Sequence, residues 1–437
     1  MSARTPRGLA RVATLSIAAV LVAGLPGTAS AAPATLANHH EDNAPVDFHS
    51  WDSLPEFLHG RLDGLLPTLG GLRIGRPAGS IDHTEADGTT RSYDYATWTS
   101  PYYQQGFDAT QLVASWNAKT PKDTWLQVEM RGTTSAGAQT TWYTMGRWAF
   151  GDQDIKRTSV PDQSDANGGV DVDTFSSADG VTLKGYQLKV TLYRASGTHS
   201  TPVLGMVGAM TSNIPDRFTV DPAPSGGAWG IELKVPPHAQ NIHAGQYPEF
   251  GGGGEAWCSP TSTEMVVEYW GKHPSAADLS WVDPSYADPT VDYAARFTYD
   301  KDYDGTGNWP FNTAYAGSFG LSAHVTRLHS MTELEHYIKA GIPVVTSQSF
   351  RSDELDGAGY GTSGHLMVVI GFTSTGDVIV NDPASSSNDR VRNVYKRSQF
   401  ETIWLRTKRI TASGGTGSGT GGIAYIIAPQ GKSLPTS

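Results

Sequence analysis

Residues 77–221 contain short runs in which apolar and polar residues alternate, and this period of two constrains the fold most strongly. The clearest runs are Thr124–Arg131 and Leu183–Arg194. Turn residues such as Gly132 and Gly180 separate the runs, and no convincing helical period interrupts them. Strands at this spacing predict an antiparallel β-sandwich domain over residues 77–221.

The pattern changes in the Pro- and Gly-rich segment 221–241, which marks the predicted junction to a second domain over residues 222–437. Ser330–Ala340 has the capping residues and apolar stripe of a helix, and Arg397–Leu405 resembles a shorter one. Apolar runs predict strands at Val344–Ser349, Leu366–Phe372, Val378–Val380 and Ile423–Ile427. In residues 222–437 a predicted helix is followed by predicted antiparallel strands, which is an α+β arrangement.

Residues 1–31 have the pattern of a cleavable secretory signal. Three arginines precede the apolar stretch Val12–Leu25, and Ala29–Ala31 offers a cleavage site. The stretch is too short for a membrane span, and no later run is long enough. Residues 32–76 lack clear periodicity and are predicted to be a leader or linker, with one short helix within Trp51–Leu66. We therefore expect a secreted protein without a membrane span once the signal is removed.

Charge and cysteine content narrow the classes of partner. The formal charge is −11, and removing the signal takes away three arginines and no acid, which leaves −14. Such an acidic chain is not expected to bind nucleic acid or an anionic membrane. Cys258 is the only cysteine, so no internal disulfide forms. A free thiol in a secreted protein is either an inert small hydrophobe or a reactive group.

The residues around Cys258 favour reactivity. Ser259 is predicted to be a helix N-cap, with Pro260 in the first turn and Gly271 as the stop signal. A thiol at the entrance of a helix lies near free backbone N–H groups, which stabilise the thiolate. The sequence therefore predicts that Cys258 is a catalytic nucleophile.

A cysteine nucleophile needs a base, and the base needs an orienting group. His365 opens the predicted strand Leu366–Phe372, and Asp382 follows the next strand, past a turn at Thr373–Asp377. Antiparallel strands joined by a turn place the start of the first beside the end of the second. His365 and Asp382 are thus predicted to be neighbours. The alternatives His324, His329 and His336 have no carboxylate placed so predictably.

An oxyanion also needs hydrogen-bond donors. The Cys258 backbone N–H is one candidate, and the side-chain amides of Gln240 and Gln246 are two others. The glycine run between these glutamines and Cys258 leaves the choice open.

Four short motifs resemble the papain-like cysteine peptidases of the C39-like family, relatives of the bacteriocin-leader peptidases. They are VPPHAQ at 235–240, WCSPTS at 257–262, GHLMVV at 364–369 and NDP at 381–383. The resemblance covers roughly residues 230–430. It implies a papain-like fold and cleavage of peptide bonds without a metal or other cofactor.

The same resemblance implies a role for each matching residue. Cys258 would be the nucleophile, His365 the base, Asp382 the orienting group and Gln240 the oxyanion donor. Two departures are visible: Ser259 stands where the family has glycine, and the stretch from Gln240 to Cys258 is longer. No transporter domain accompanies this chain, so processing of leaders during export does not carry over.

Asp300–Gly305 matches the first half of a calcium-binding loop, with Asn308 at the ninth position. Phe311 stands at the twelfth position, where such a loop has a bidentate glutamate. The alternative is that Gly305–Asn312 forms a wall of a substrate cleft.

The leading hypothesis is a monomeric secreted cysteine peptidase or amidase acting on peptide, protein or peptidoglycan-type amides. The sandwich would be a binding module that targets it. One alternative is an exported binding protein whose papain-like domain does not turn over. Another is an acyltransferase that uses the same triad.

Overall fold

The computed structural model describes residues 44–85 and 87–436. The predicted signal of residues 1–31 and the start of the predicted leader lie outside the described residues. Within the described part of the chain, no helix has the length and apolar character needed to cross a membrane.

Two antiparallel sheets occupy the N-terminal part of the chain. Its elements are β1 (Val46–Trp51), α1 (Leu54–His59), β2 (Arg61–Asp63), β3 (Leu65–Thr68), β4 (Gly71–Ile74), β5 (Gly79–Thr84), β6 (Thr90–Thr99), β7 (Gln111–Lys119), β8 (Thr124–Thr134), β9 (Tyr143–Trp148), β10 (Gln163–Ser164), β11 (Gly168–Asp171), β12 (Thr174–Ser177), β13 (Leu183–Ala195) and β14 (Val203–Ser212). One sheet has the order β10-β11-β12-β7-β14-β4-β3, with β1 also paired to β14. The other has the order β2-β6-β13-β8-β9, with β5 also paired to β6.

The segment predicted to be a leader is built into these sheets from Val46 onward. β1 pairs with β14 along its whole length, from Val46 opposite Ser212 to Trp51 opposite Val207. α1 and the strands β2 to β4 follow, and each has only three to six residues. The predicted short helix within Trp51–Leu66 is present as α1. Strands as short as β2 to β4 contain too few residues to show a period, which is why the sequence does not predict them.

The alternation in the two longest predicted strands reflects burial. Leu126, Val128 and Met130 are fully buried on one face of β8. Leu126 lies opposite Leu192 of β13, so apolar side chains meet across the strands. Three aromatic residues in and beside β9, which could bind a ligand only if exposed, differ in exposure: Tyr143 and Trp148 are buried, and Trp142 is half-buried. Two cationic side chains lie over the Trp142 ring: Arg131 Cζ is 4.6 Å and Lys189 Nζ is 4.5 Å from its centroid.

The C-terminal part is an antiparallel sheet with helices. Its elements are α2 (Cys258–Tyr269), α3 (Pro289–Thr298), α4 (Trp309–Ser318), β15 (Leu321–Arg327), α5 (Met331–Lys339), β16 (Val344–Phe350), β17 (Thr362–Phe372), β18 (Val378–Asn381), β19 (Arg392–Tyr395), α6 (Arg397–Leu405), β20 (Lys408–Ile410), β21 (Thr416–Ser418) and β22 (Ile423–Pro429). Short 3₁₀ turns lie at Gln240–His243, Gly254–Ala256 and Asn388–Arg390. The sheet order is β15-β22-β16-β17-β18-β19, and β20 pairs only with β21. The predicted α+β class is confirmed.

Local sequence explains how the predicted elements of this sheet form. Thr373 N donates to Asp377 O at 2.9 Å and closes the predicted turn between β17 and β18. At the start of α5, the Ser330 hydroxyl accepts from the Glu333 N–H, as a capping residue should. In a capping box the Glu333 carboxylate would accept from the backbone N–H of Ser330. Here it accepts from the backbone N–H of His329 instead.

One hydrophobic cluster joins the two parts of the chain. It contains Trp116 of β7 and Met130 of β8 together with Val266 of α2 and Tyr315 of α4. Phe311 of α4 packs its ring 6.1 Å from that of Trp116. A second cluster lies within the C-terminal part, where α5 and α6 pack on the sheet.

Candidate active site

Cys258 is the first residue of α2 and is half-buried. The residue before it, Trp257, occupies the N-cap position. The prediction that Ser259 is the N-cap is wrong, because Ser259 already lies inside the helix. Ser259 is fully buried, and its hydroxyl hydrogen-bonds to the Tyr425 hydroxyl at 2.9 Å. Pro260 lies in the first turn, where its missing N–H removes no helical hydrogen bond. The thiol therefore sits even closer to the positive end of the helix than the sequence predicts.

His365 and Asp382 are in direct contact. His365 Nε2 lies 2.9 Å from Asp382 Oδ1, and both side chains are buried. The β17–β18 hairpin brings them together, with Val368 opposite Asn381 and Asp382 next in the chain. The predicted neighbourhood of these two residues is confirmed. It arises because the strands are antiparallel and the turn between them is short.

Two tyrosines that the sequence does not single out complete the surroundings of Asp382. Asp382 Oδ2 accepts from the Tyr360 hydroxyl at 2.9 Å and from the Tyr395 hydroxyl at 2.7 Å. The Ala384 N–H donates to Oδ1 at 3.0 Å. The Tyr360 ring also meets the His365 imidazole edge-on, at 5.5 Å between centroids. Tyr360 therefore covers the imidazole–carboxylate pair on the cleft side.

These contacts determine the charge state of the three groups. Burial alone would raise the pKa of the Cys258 thiol, but its hydrogen bond to His365 and the charge of that ring lower it on balance. Burial alone would lower the pKa of His365, yet Asp382 and Cys258 raise it on balance. The pKa of Asp382 is lowered, because His365 and Tyr395 outweigh its burial. All three shifts favour a thiolate, an imidazolium and a carboxylate.

Gln240 lies beside Cys258 in the same cleft. Its backbone N–H donates to Pro383 O at 2.8 Å, which ties it to the loop that carries Asp382. Its side-chain Nε2 donates to Glu255 O at 2.9 Å. Gly254 permits this approach, because a Cβ there would lie 2.5 Å from Gln240 O.

Gln246, the alternative donor, takes part in a different contact. Its Oε1 lies 2.9 Å from His243 Nδ1, and its Nε2 donates to Ile242 O at 3.4 Å. The side chain is thus folded onto the 3₁₀ turn at Gln240–His243. Of the two glutamines, the geometry favours Gln240.

The rival histidines have structural surroundings. His324 is buried and stacks on Phe48 at 3.9 Å, and burial lowers its pKa to about 4. His329 Nδ1 lies 2.9 Å from the Glu333 carboxylate, near the start of α5. His336 lies within α5.

A cleft of about 970 Å³ opens beside the thiol. Cys258, His365, Gln240 and Tyr360 line it on one side. The loop 303–309 forms another wall, so the predicted role of the Gly305–Asn312 stretch as a cleft wall is confirmed for its first half.

The Asp300 carboxylate, first ligand of the calcium motif, is fully buried and bonded to protein donors. Its Oδ1 accepts from Ser159 N at 2.9 Å, and its Oδ2 accepts from Asn308 Nδ2 at 2.9 Å. Across the described residues 44–85 and 87–436, no group of three His, Cys, Asp or Glu side chains is placed to hold a metal ion. In this fold the motif serves to anchor a loop.

Fold and cleft together define an α+β protein that gathers a thiol, an imidazole and a carboxylate at the N-terminus of one helix and the end of one hairpin. The chain belongs to the C39-like peptidases. Residues 232–412 match the profile of the Peptidase_C39 like family, and residues 47–212 match that of the Peptidase C39 N-terminal domain. Family membership indicates a cysteine-peptidase-like function. Comparison with individually curated proteins gives no significant match. Residues 47–212 are called the N-terminal domain below.

Proposed function

We propose that this protein is a secreted cysteine peptidase or amidase that uses Cys258, His365 and Asp382 as a catalytic triad. The observation that carries the proposal is the 2.9 Å contact between His365 Nε2 and Asp382 Oδ1 beside a thiol at a helix N-terminus. In this proposal the C-terminal part has a papain-like fold, and the two N-terminal sheets form a β-sandwich.

Before substrate binds, His365 takes the proton of the Cys258 thiol, which leaves a thiolate–imidazolium pair. The thiolate attacks the carbonyl carbon of an amide, and the carbonyl oxygen becomes an oxyanion. One N–H of the Gln240 side-chain amide already donates to Glu255 O. The other N–H of that amide and the Cys258 backbone N–H stabilise the oxyanion. The C–N bond then breaks as His365 protonates the leaving amine.

Deacylation uses the same groups in reverse. His365 removes a proton from a water molecule, and the hydroxide attacks the thioester carbonyl. The C–S bond breaks, and the thiolate and the carboxylic acid product are released. Asp382 remains ionised throughout and keeps the imidazole ring oriented and positively charged when it carries the proton.

Hydrolysis of a peptide library tests the proposal. Wild-type protein should cleave a subset of peptides, and Cys258→Ala should cleave none while melting at a similar temperature. His199→Ala, which removes an exposed histidine, is the matched control and should cleave like wild type. Cleavage by Cys258→Ala would contradict the role of this thiol as nucleophile. No cleavage by wild type would contradict the proposal and leave the binding-protein alternative.

Acyl transfer is distinguished by the products. When an amine is added to the same assay, a hydrolase releases mainly the free acid, whereas an acyltransferase releases mainly the new amide. Secretion is tested separately by the mass of the mature protein, which should begin at Ala32 if the signal is cleaved after Ala31.

A further inference from the structure

One wall of the cleft is held in place by the N-terminal domain. Asp300 precedes the wall loop 303–309, and its Oδ1 accepts from both the N–H of Ser159 at 2.9 Å and the hydroxyl of Ser159 at 3.1 Å. The backbone N–H of Asp302 donates to the Thr158 hydroxyl at 3.2 Å. The N-terminal domain thus supplies the partners of the segment that leads into the wall.

The other end of the wall is bound by a second carboxylate. Asp173 Oδ2 accepts from the backbone N–H of Trp309, the first residue of α4, at 2.7 Å. Asp173 is buried, and its other oxygen accepts from the Thr174 hydroxyl at 2.9 Å. A carboxylate at the N-terminus of a helix satisfies a free N–H and interacts favourably with the dipole.

Arg157 links the N-terminal domain to the end of α3. Its guanidinium is buried and donates to Arg296 O at 3.1 Å, and its backbone carbonyl accepts from Lys301 N at 3.0 Å. Contacts from the N-terminal domain therefore bracket the wall at 300–302 and at 309.

The wall itself faces the reacting groups. Tyr303, Gly305, Gly307 and Trp309 line the cleft together with Cys258. The wall also packs against the glycine run that precedes Cys258, because a Cβ at Gly251 would lie 2.9 Å from the Cα of Gly305. A small displacement of this loop would change the width of the cleft.

We propose that the N-terminal domain sets the substrate-binding wall of the cleft, with Asp173 and Ser159 as positioning residues. The inference rests on the proposed function only in taking the cleft as the place where substrate binds. Cys258, His365 and Asp382 are carried by α2 and by the β17–β18 hairpin and not by this wall, so we expect thiol activation to change little when the wall moves. The N-terminal domain therefore controls how a peptide binds and leaves the reactivity of the thiol unchanged.

Two stoichiometric reagents separate these effects. Iodoacetamide measures thiol reactivity alone, whereas a tetra-alanine chloromethyl ketone must also occupy the cleft. Asp173→Ala should lower the ratio of the second alkylation rate to the first by about fivefold, since the buried N–H of Trp309 loses its hydrogen-bond partner. Hydrogen exchange should rise in residues 300–309, and the iodoacetamide rate should stay within about twofold of wild type.

The controls are chosen from neighbouring residues. Asp171→Ala removes an exposed carboxylate two residues away and should leave both readouts unchanged. Ser159→Ala removes the hydroxyl donor to Asp300 and keeps the backbone N–H donor of the same residue, so it should shift both readouts in the same direction by a smaller factor. It also keeps the inference testable if Asp173→Ala fails to fold.

An unchanged ratio in both variants would overturn the inference, as would a parallel fall in the iodoacetamide rate. The readouts need no turnover. A wild-type protein that fails to hydrolyse peptide would therefore contradict the proposed function. The two alkylation rates would still show whether the N-terminal domain sets the wall.

Discussion

Asp382 is the most densely hydrogen-bonded group of the candidate site. It accepts from His365, from the Ala384 N–H and from the hydroxyls of Tyr360 and Tyr395. A carboxylate with this many donors stays ionised and cannot rotate, so it fixes the plane of the imidazole. The two tyrosines are therefore expected to affect the reaction through Asp382.

We predict that Tyr360→Phe reduces kcat by roughly tenfold, because a hydrogen bond to a charged group contributes about 1.5–3 kcal/mol. The ring stays in the cleft, so KM should change little. Tyr395→Phe should have a similar effect, since it removes the other donor to Oδ2. Tyr102→Phe, at an exposed tyrosine, is the control. Peptide hydrolysis measures kcat and KM, and unchanged kcat in both site variants would refute the role of these hydroxyls.

The pH dependence of alkylation reports the state of the thiol directly, because Cys258 is the only cysteine. The pKa of the thiol is lowered by His365, so the iodoacetamide rate should remain high at neutral pH and fall only below the usual thiol range. In His365→Ala the imidazole that lowers the thiol pKa is absent. The pH at which the iodoacetamide rate is half-maximal should therefore rise to about 8.5 or above, the value of a free or buried thiol. Identical midpoints in the two proteins would show that His365 does not act on Cys258.

At the scale of elements, α2 carries a buried carboxyl group that makes its stability sensitive to pH. Glu264 is fully buried, and its Oε2 accepts from the Tyr315 hydroxyl at 2.7 Å. Burial raises the pKa of Glu264 to about 8, from a usual value of 4.5. The folded protein therefore keeps a proton on Glu264 at neutral pH that the unfolded chain has already lost.

Between pH 4.5 and about 8, this difference should lower the free energy of unfolding by about 1.4 kcal/mol per pH unit. The stabilisation is complete below 4.5 and is lost as the pH rises through 8. Glu264→Gln mimics the protonated form and lacks this slope, so its melting temperature relative to wild type should increase from pH 5 to pH 9. Glu249→Gln, at an exposed glutamate, is the control. A constant difference between Glu264→Gln and wild type would contradict the assignment.

Elements whose burial follows a simple period were predictable. β8, β13, β17, α5 and α6 all lie where the sequence places them, within a few residues. Two helices were missed. In α4 the residues from Pro310 to Gly317 are all buried, so no polar face produces an amphipathic stripe. α3 begins at Pro289, the proline of an Asp-Pro pair, and such a pair favours a turn in the sequence.

The candidate site shows the same division. The neighbourhood of His365 and Asp382 follows from one hairpin, which local sequence specifies. Tyr360 and Tyr395 reach Asp382 from a separate loop and from β19, and no spacing in the sequence indicates that these segments converge. Contacts between distant segments depend on the folded sheet, which periodicity alone does not determine.

At the scale of the whole molecule, the two parts of the chain are less separable than the sequence suggests. Asn117 of β7 donates to Ala323 O of β15 at 2.8 Å and accepts from the Ala323 N–H at 3.1 Å. The shared hydrophobic cluster adds Trp116, Trp148 and Phe311, with Phe311 5.4 Å from the Trp148 ring. A targeting module on a flexible linker would not share a core with the part it targets.

This shared core predicts that residues 222–437 do not fold alone. Without the N-terminal domain, buried apolar residues of α4 and β15 would be exposed to water, at a cost of about 25 cal/mol per Å². The isolated segment should therefore show no cooperative thermal transition and should bind a dye specific for exposed apolar surface. The matched control is the full chain cleaved within 218–221, an exposed or half-buried stretch, where both parts remain present and should still unfold together. A cooperative transition of residues 222–437 at the wild-type temperature would show that the N-terminal domain is an independent attachment.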